Sequence, residues 1–180
     1  MHSERVIMNP RIGVVTRYDD RQGLIEFIDQ SFRANPELYD WLRVPDDKRV
    51  VVLKPNWIQV SHEHKPDVRD PIATHPAVLL AMVEYLGNTM GGRGTVCICD
   101  APNTYAEFED LTTNWGLSTK LNDLRKTFPS MTIEILDLRR EVWKRKEEVI
   151  TERLPNKPDP RGYVSLNLGK DSLFFHSSSE

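Results

Sequence analysis

The chain has no excess of charge, few cysteines and no long apolar run, and each shortage narrows its chemistry. Twenty-four lysines and arginines face 27 aspartates and glutamates, a formal net charge of −3. That balance gives no basic footprint for nucleic acid and no acidic block of the kind that forms a solvated tail. Trp57, Trp115 and Trp143 are not interleaved with arginines as a base-stacking surface requires. No stretch approaches the roughly 20 apolar residues that span a bilayer. Residues 77–86 come nearest and are interrupted by Glu84. No signal-peptide run follows the N-terminus and no Asn-x-Ser/Thr sequon is present. Together these features predict a cytoplasmic protein with no membrane span and no nucleic-acid partner.

The two cysteines, Cys97 and Cys99, stand two apart in an apolar run. An extended backbone puts them on one face but holds them apart, which argues against a disulfide and for small buried residues. There is no C-x-x-C, so no iron–sulfur ligand set is visible. His62 and His64 flank Glu63, and His75 lies further on. Histidines in this pattern can bind zinc, but no further ligand completes the set, so no metal is assigned. Gly91-Gly92-Arg93-Gly94 precedes a strand instead of following one, which suits a helix stop and turn better than a dinucleotide loop. No P-loop, G-x-S-x-G elbow or internal repeat occurs.

What is present is an alternation of strands and helices. Residues 12–16 read as a first strand. Leu24, Phe27, Ile28 and Phe32 recur at helical spacing. Residues 50–53 are a continuous apolar run, the pattern of a strand buried on both faces. A long loop over 55–74 follows, of the length that usually carries function. Thr74 offers an N-cap with Pro76 in the first turn, and Leu79, Met82, Val83 and Leu86 share a helical face. Residues 95–99 form the next strand. Thr104 to Glu107 reads as a capping box. Leu121, Leu124 and Phe128 mark another helix, stopped by Pro129, and 131–136 is a further strand.

This order predicts an α/β fold, with an open, mostly parallel sheet covered by helices on both faces in a Rossmann-like arrangement. Residues 1–138 form its core. Residues 139–180 add a charged segment, a proline-rich turn and a strand at 163–168, continuing the same domain. Eight of the ten positions over 139–148 are charged, which fits a solvated helix or an exposed strand. Three prolines over 155–160 exclude a helix or a central strand there.

The candidate site follows from the strand ends. Val50-Val51-Val52-Leu53 runs directly into Lys54-Pro55-Asn56-Trp57. In a parallel sheet, Lys54, Asp100 and Asp137 all end strands on one edge, where open α/β sheets hold their ligands. Lys54 can neutralise a phosphate or carboxylate as a point charge, and Asn56 offers a donor and an acceptor. Asp100 can accept from a hydroxyl, bind a metal or act as a base. Residues 70–74 add Asp70 and a helix start at Thr74, a place where anions bind. Lys54 and Asp100 are thus the candidate catalytic residues, and Asn56, Asp70 and Thr74 the candidate ligand contacts. Each also fits a plainer role as a solvated strand end or a helix cap, and for Asp137 that plainer role is favoured.

The order of these elements resembles the domain of unknown function 362 family. Leu53-Lys54-Pro55-Asn56, a polar loop, Asp70-Pro71 and Thr74-His75-Pro76 leading into a helix carry the resemblance, with Cys99-Asp100-Ala101-Pro102 as the next motif. It covers residues 50–137, with weaker similarity over 160–163. The Lys-Pro-Asn element is the specific part. The resemblance implies an α/β fold with a site around Lys54 and Asn56, in a family without an established reaction. Some members carry ferredoxin-type iron–sulfur modules, and some are linked to surface polysaccharide clusters. Members are usually longer, with a later segment rich in proline, lysine and histidine that nothing here matches, and the ferredoxin cysteines are absent. The expectation is an N-terminal portion of such a protein, with exposed apolar surface near Phe174 and Phe175 and an unpaired sheet edge. The functional expectation is a module that binds an anionic metabolite, phosphorylated or sugar-derived. The alternative is a non-catalytic binding or assembly module, or a truncated fragment that is inactive alone.

Overall fold

The computed structural model describes residues 18–59, 73–104, 106–113, 116–147, 149–157, 159 and 161–172. The first strand expected at 12–16, Asp70, and Phe174 with Phe175 lie outside the described residues. Helix α1 (Arg21–Arg33) starts where Asp20 Oδ1 accepts from Gly23 N at 2.8 Å. Helix α2 (Pro36–Arg43) starts at Asn35, with Pro36 supplying a preset first turn. Strand β1 (Val50–Leu53) then leads to the Lys54 turn. Helix α3 (Pro76–Thr89), strand β2 (Gly94–Asp100), short helix α4 (Phe108–Thr113), helix α5 (Leu117–Thr127) and strand β3 (Met131–Asp137) complete the main body.

The three strands form a parallel sheet in the order β1-β2-β3, with Leu53 opposite Ile98 and Asp100 opposite Asp137. The strand ends therefore share one edge, as the sequence predicts. Among the described residues the helices do not cover both faces. Val96, Ile98, Met131 and Ile133 join a core to which the helices contribute Leu24, Ile28, Leu42, Leu79, Leu86 and Leu121 among others. Val51, Leu53 and Ile135 pack against the same core. On the opposite face Val50 and Val52 are 48% and 60% exposed. Strand β1 is thus buried on one face only, which corrects the expectation from its continuous apolar run. The fold is a mixed helix and strand arrangement with one helical layer among the described residues. None of its described helices is long and apolar enough to cross a membrane.

The charged segment forms a second, antiparallel sheet. Strand β4 (Glu141–Lys146) pairs with β5 (Val149–Pro155). Trp143 N donates to Thr104 O at 2.7 Å, which fastens the hairpin base to the loop before α4. Cation–π contact of Arg153 with the Trp143 ring, 4.7 Å from its centroid, ties the two strands across one face. Residues 163–168 carry the strand-like alternation Val164, Leu166, Leu168, yet they join neither sheet among the described residues, and those three side chains stand 59–85% exposed. Alternation alone does not make a strand without an edge to pair with.

Cys97 and Cys99 are free and buried, but they lie outside the helical core, on the sheet's other face. A strap that includes Asp159 and residues 161–163 crosses that face. Burial and the neighbouring Cys97 push the Cys99 thiol up from 9.0 to about 11. Between those values the unfolded chain has released the proton and the folded one keeps it, so the folded state loses stability as pH rises through the window. Urea midpoints measured from pH 8 to 11 should fall less steeply in Cys99→Ser than in the parent.

Gly94 is the tightest backbone point of the sheet. Its φ is +82°, and a Cβ there would sit 2.8 Å from Arg49 O. Gly94→Ala should destabilise the fold by about 2–3 kcal/mol, read as a lower urea midpoint at unchanged slope.

Candidate functional site

The edge at the C-terminal ends of β1 and β2 is organised by one carboxylate. Asp100 is 6% exposed. Its Oδ2 accepts from Trp57 N at 2.7 Å. Its Oδ1 accepts from Ala101 N at 2.9 Å and lies 2.9 Å from Lys54 Nζ. Two amide donors and one cation, from two chain segments, thus converge on it. Lys54 Nζ also donates to Pro55 O at 3.1 Å. The ammonium is held at two points while its side chain stays 68% exposed.

The far side of the turn is held by Thr74. Its Oγ1 accepts from Asn56 N at 2.8 Å, and its own N–H donates to Asn56 O at 3.0 Å. Trp57 and Ala73 form an isolated antiparallel bridge beside this pair. The two ends of the long loop are therefore stitched together at residues 56–57 and 73–74. Trp57 is 1% exposed and meets the Phe108 ring edge-on at 5.7 Å. Its Nε1–H has no acceptor among the described residues.

Thr74 does not cap α3, contrary to the sequence expectation. His75 is the N-cap, and its Nδ1 accepts from Ala77 N at 3.1 Å. The ring stacks on Tyr18 with centroids 4.0 Å apart. The hydroxyl of Thr74 serves Asn56 instead, and the imidazole one residue later takes the capping role. His75 is thereby part of the helix start, and no group of three His, Cys, Asp or Glu residues that could hold a metal occurs among the described residues. His62 and His64 lie outside them. The structure thus brings together Lys54, Asn56, Thr74 and Asp100, four of the five expected residues. The Thr104 to Glu107 capping box does not start a helix, since α4 begins at Phe108 and Ala106 N donates to Asn103 O in a turn.

Asp137 takes its own cation. Arg139 Nε donates to Asp137 Oδ1 at 2.9 Å and Nη2 to Oδ2 at 2.7 Å. Arg139 Nη1 donates to Asn103 O and Ala106 O, both at 2.7 Å. The Arg139 side chain is only 4% exposed. This arginine sits in a run that reads as solvated charge, and only the Asp-x-Arg spacing after a strand hints at its role. It ties the loop after β2 to the end of β3. Leu138 N donates to Asp100 O at 2.8 Å, a second tie at the same level.

A groove of about 440 Å³ opens at the other end of the sheet, lined by Asn88, Arg93, Thr127 and Phe128. It lies at the start of β2 and β3, remote from Lys54. Compared with family models, curated proteins and solved structures, the chain finds no match in any of the three.

The geometry assigns different weights to the two halves of the ion pair. Asp100→Ala leaves Trp57 N buried without its acceptor and should cost about 3 kcal/mol. Lys54→Ala removes a mostly exposed charge and should cost less than about 1 kcal/mol. Chemical denaturation of both variants at pH 7 checks the order.

Proposed function

We propose that the edge formed by Lys54, Asn56 and Thr74 binds a small anionic metabolite, phosphorylated or sugar-derived. The observation that carries this reading is the state of Lys54. An ammonium has three N–H donors. One is given to Pro55 O while the charge pairs with Asp100, so among the described residues the group is fixed in place on a side chain open to solvent with donor capacity to spare. A point charge held this way loses little conformational entropy when it meets an anion. The exposed Asn56 beside it supplies polar contacts, and Thr74 holds the Asn56 backbone.

Asp100 serves this reading as a positioning residue, not as a base. Its oxygens already receive Trp57 N, Ala101 N and Lys54 Nζ. Protonating it would weaken the contacts that hold the turn presenting Asn56. Membership of the domain of unknown function 362 family is part of the same proposal: the Lys-Pro-Asn element that carries the resemblance is the turn fastened by Asp100.

A second reading, an assembly module, draws on a different observation. Val50 and Val52 are exposed on the sheet face away from the helices, and Val164, Leu166 and Leu168 are exposed on the last segment. Apolar area of this kind marks contact surfaces.

Thermal unfolding with sugar phosphates, nucleotides and inorganic phosphate separates the two. A metabolite present at 100 times its Kd adds about 2.7 kcal/mol, roughly 5–10 °C at this chain length. Lys54→Ala should abolish the gain while keeping its own Tm near that of the parent. An unchanged Tm with every anion, or an equal response in Lys54→Ala, overturns the anion reading.

A further inference from the structure

The groove at the start of β2 and β3 takes no part in the Lys54 edge. The length of β2 (Gly94–Asp100), about 20 Å, lies between them. Its volume of about 440 Å³ falls in the range of roughly 300–1,000 Å³ that small-molecule sites occupy. The end of α3 and its turn, with Asn88, Gly92 and Arg93, make one wall. The end of α5, with Thr127, Phe128 and Ser130, makes the other. Two glycines shape it. A Cβ at Gly87 would sit 2.5 Å from Cε2 of Phe128, so only glycine lets that ring rest on the α3 backbone. Gly92, at φ +69°, turns the chain out of α3 towards β2. The Phe128 ring is held half-buried and lines the groove.

The lining is rich in donors that the described fold leaves unspent. Arg93 Nη1 lies 3.5 Å from Asp47 Oδ1, and the two side chains are 55% and 74% exposed. So open a pair is worth little and is readily exchanged. Among the described residues the side chains of Asn88 and Ser130 make no hydrogen bond. Thr127 Oγ1 donates to Asp123 O at 3.1 Å, which leaves its oxygen free to accept. No aspartate or glutamate lines the groove, so its one formal charge is positive. A guanidinium, an amide and a hydroxyl offer more donors than acceptors, a set that suits an anion. Both α3 and α5 end here, and the negative ends of two helices oppose a dianion more than a monoanion. Phe128 adds an apolar wall.

We propose that this groove is a second small-molecule site, and that it takes a monocarboxylate carrying a ring. Arg93 holds the carboxylate through the paired N–H donors of its fork, with Asn88 and Ser130 as further donors. The ring lies against Phe128, which removes apolar area of both from water. Arg93 gives up only its loose contact with Asp47 in exchange for a charge-assisted one. The site works without Lys54, whose edge lies at the other end of the sheet.

The test is an NMR titration of the full chain with benzoate, read at the backbone amides. Saturable shifts are expected at Gly91, Gly92, Arg93 and Ser130. Arg93→Gln removes the charge from an exposed position and should weaken benzoate at least about tenfold, the loss of a charge-assisted hydrogen bond. Lys54→Ala should bind benzoate as the parent does. Acetate, which has no ring, and benzyl alcohol, which has no charge, should both bind more weakly. The absence of saturable shifts at the groove overturns the site. Equal affinity in Arg93→Gln, or benzyl alcohol as tight as benzoate, overturns the carboxylate contact. Acetate as tight as benzoate overturns the ring contact, and phenyl phosphate tighter than benzoate overturns the choice of a monoanion. Groove shifts that vanish in Lys54→Ala overturn its independence from the other edge.

Discussion

The carboxylate of Asp100 is the constraint on which the sheet edge depends. It stands at the end of the central strand and receives an amide from its own segment, an amide from the turn after β1, and the Lys54 ammonium. It fixes the turn to the end of β2, beside the bond from Asn103 N to Ile58 O. Its register partner is a second carboxylate, Asp137. Two adjacent carboxylates repel unless each is compensated, and here each has a separate cation: Lys54 for Asp100, Arg139 for Asp137. The two pairs differ in burial. Arg139 is enclosed and bonded to two carbonyls, so it is structural. Lys54 is open to solvent, so the same kind of pair leaves a charge on display.

The sheet is asymmetric, and that asymmetry sorts its residues. The helical side takes the branched apolar positions and is continuous with the core. The other side carries cysteines, a glutamate and exposed valines, and its described cover is the Arg161 strap. Both the strap and the Arg139 tie use the same local device. In Asp137-x-Arg139 and Asp159-x-Arg161 the first oxygen of the aspartate accepts from the arginine amide two residues on and from its Nε. A turn of this kind points a guanidinium away from the chain at low entropic cost. One reaches buried carbonyls, the other a thiol.

Periodicity made much of this legible. The Leu24 to Phe32 spacing marks α1, the Leu79 to Leu86 spacing marks α3, and the apolar runs mark all three parallel strands with their ends aligned. The Lys54, Asn56, Thr74 and Asp100 grouping followed from that alignment. What pattern could not supply was competition for partners. Thr74 and His75 can both cap a helix, and the choice fell to His75 because Asn56 N claims the threonine hydroxyl. Residues 163–168 alternate like a strand, but a strand is a relation to a neighbour, and none of the described strands pairs with them. Residues 149–155 pair with β4 although they alternate poorly, since a short connection after β4 brings them back beside it. Arg139 looked like one charge among eight; its burial depends on carbonyls 33 and 36 residues away.

The bond from Trp57 N to Asp100 spans 43 residues. During synthesis the Lys-Pro-Asn turn leaves the ribosome well before the aspartate that holds it. At about 5–20 residues per second, that interval lasts roughly 2–9 s. Closing so long a loop costs entropy that only the β1–β2 ladder can offset. The turn therefore acquires its shape after the strands have paired, and its order reports on completion of the sheet behind it.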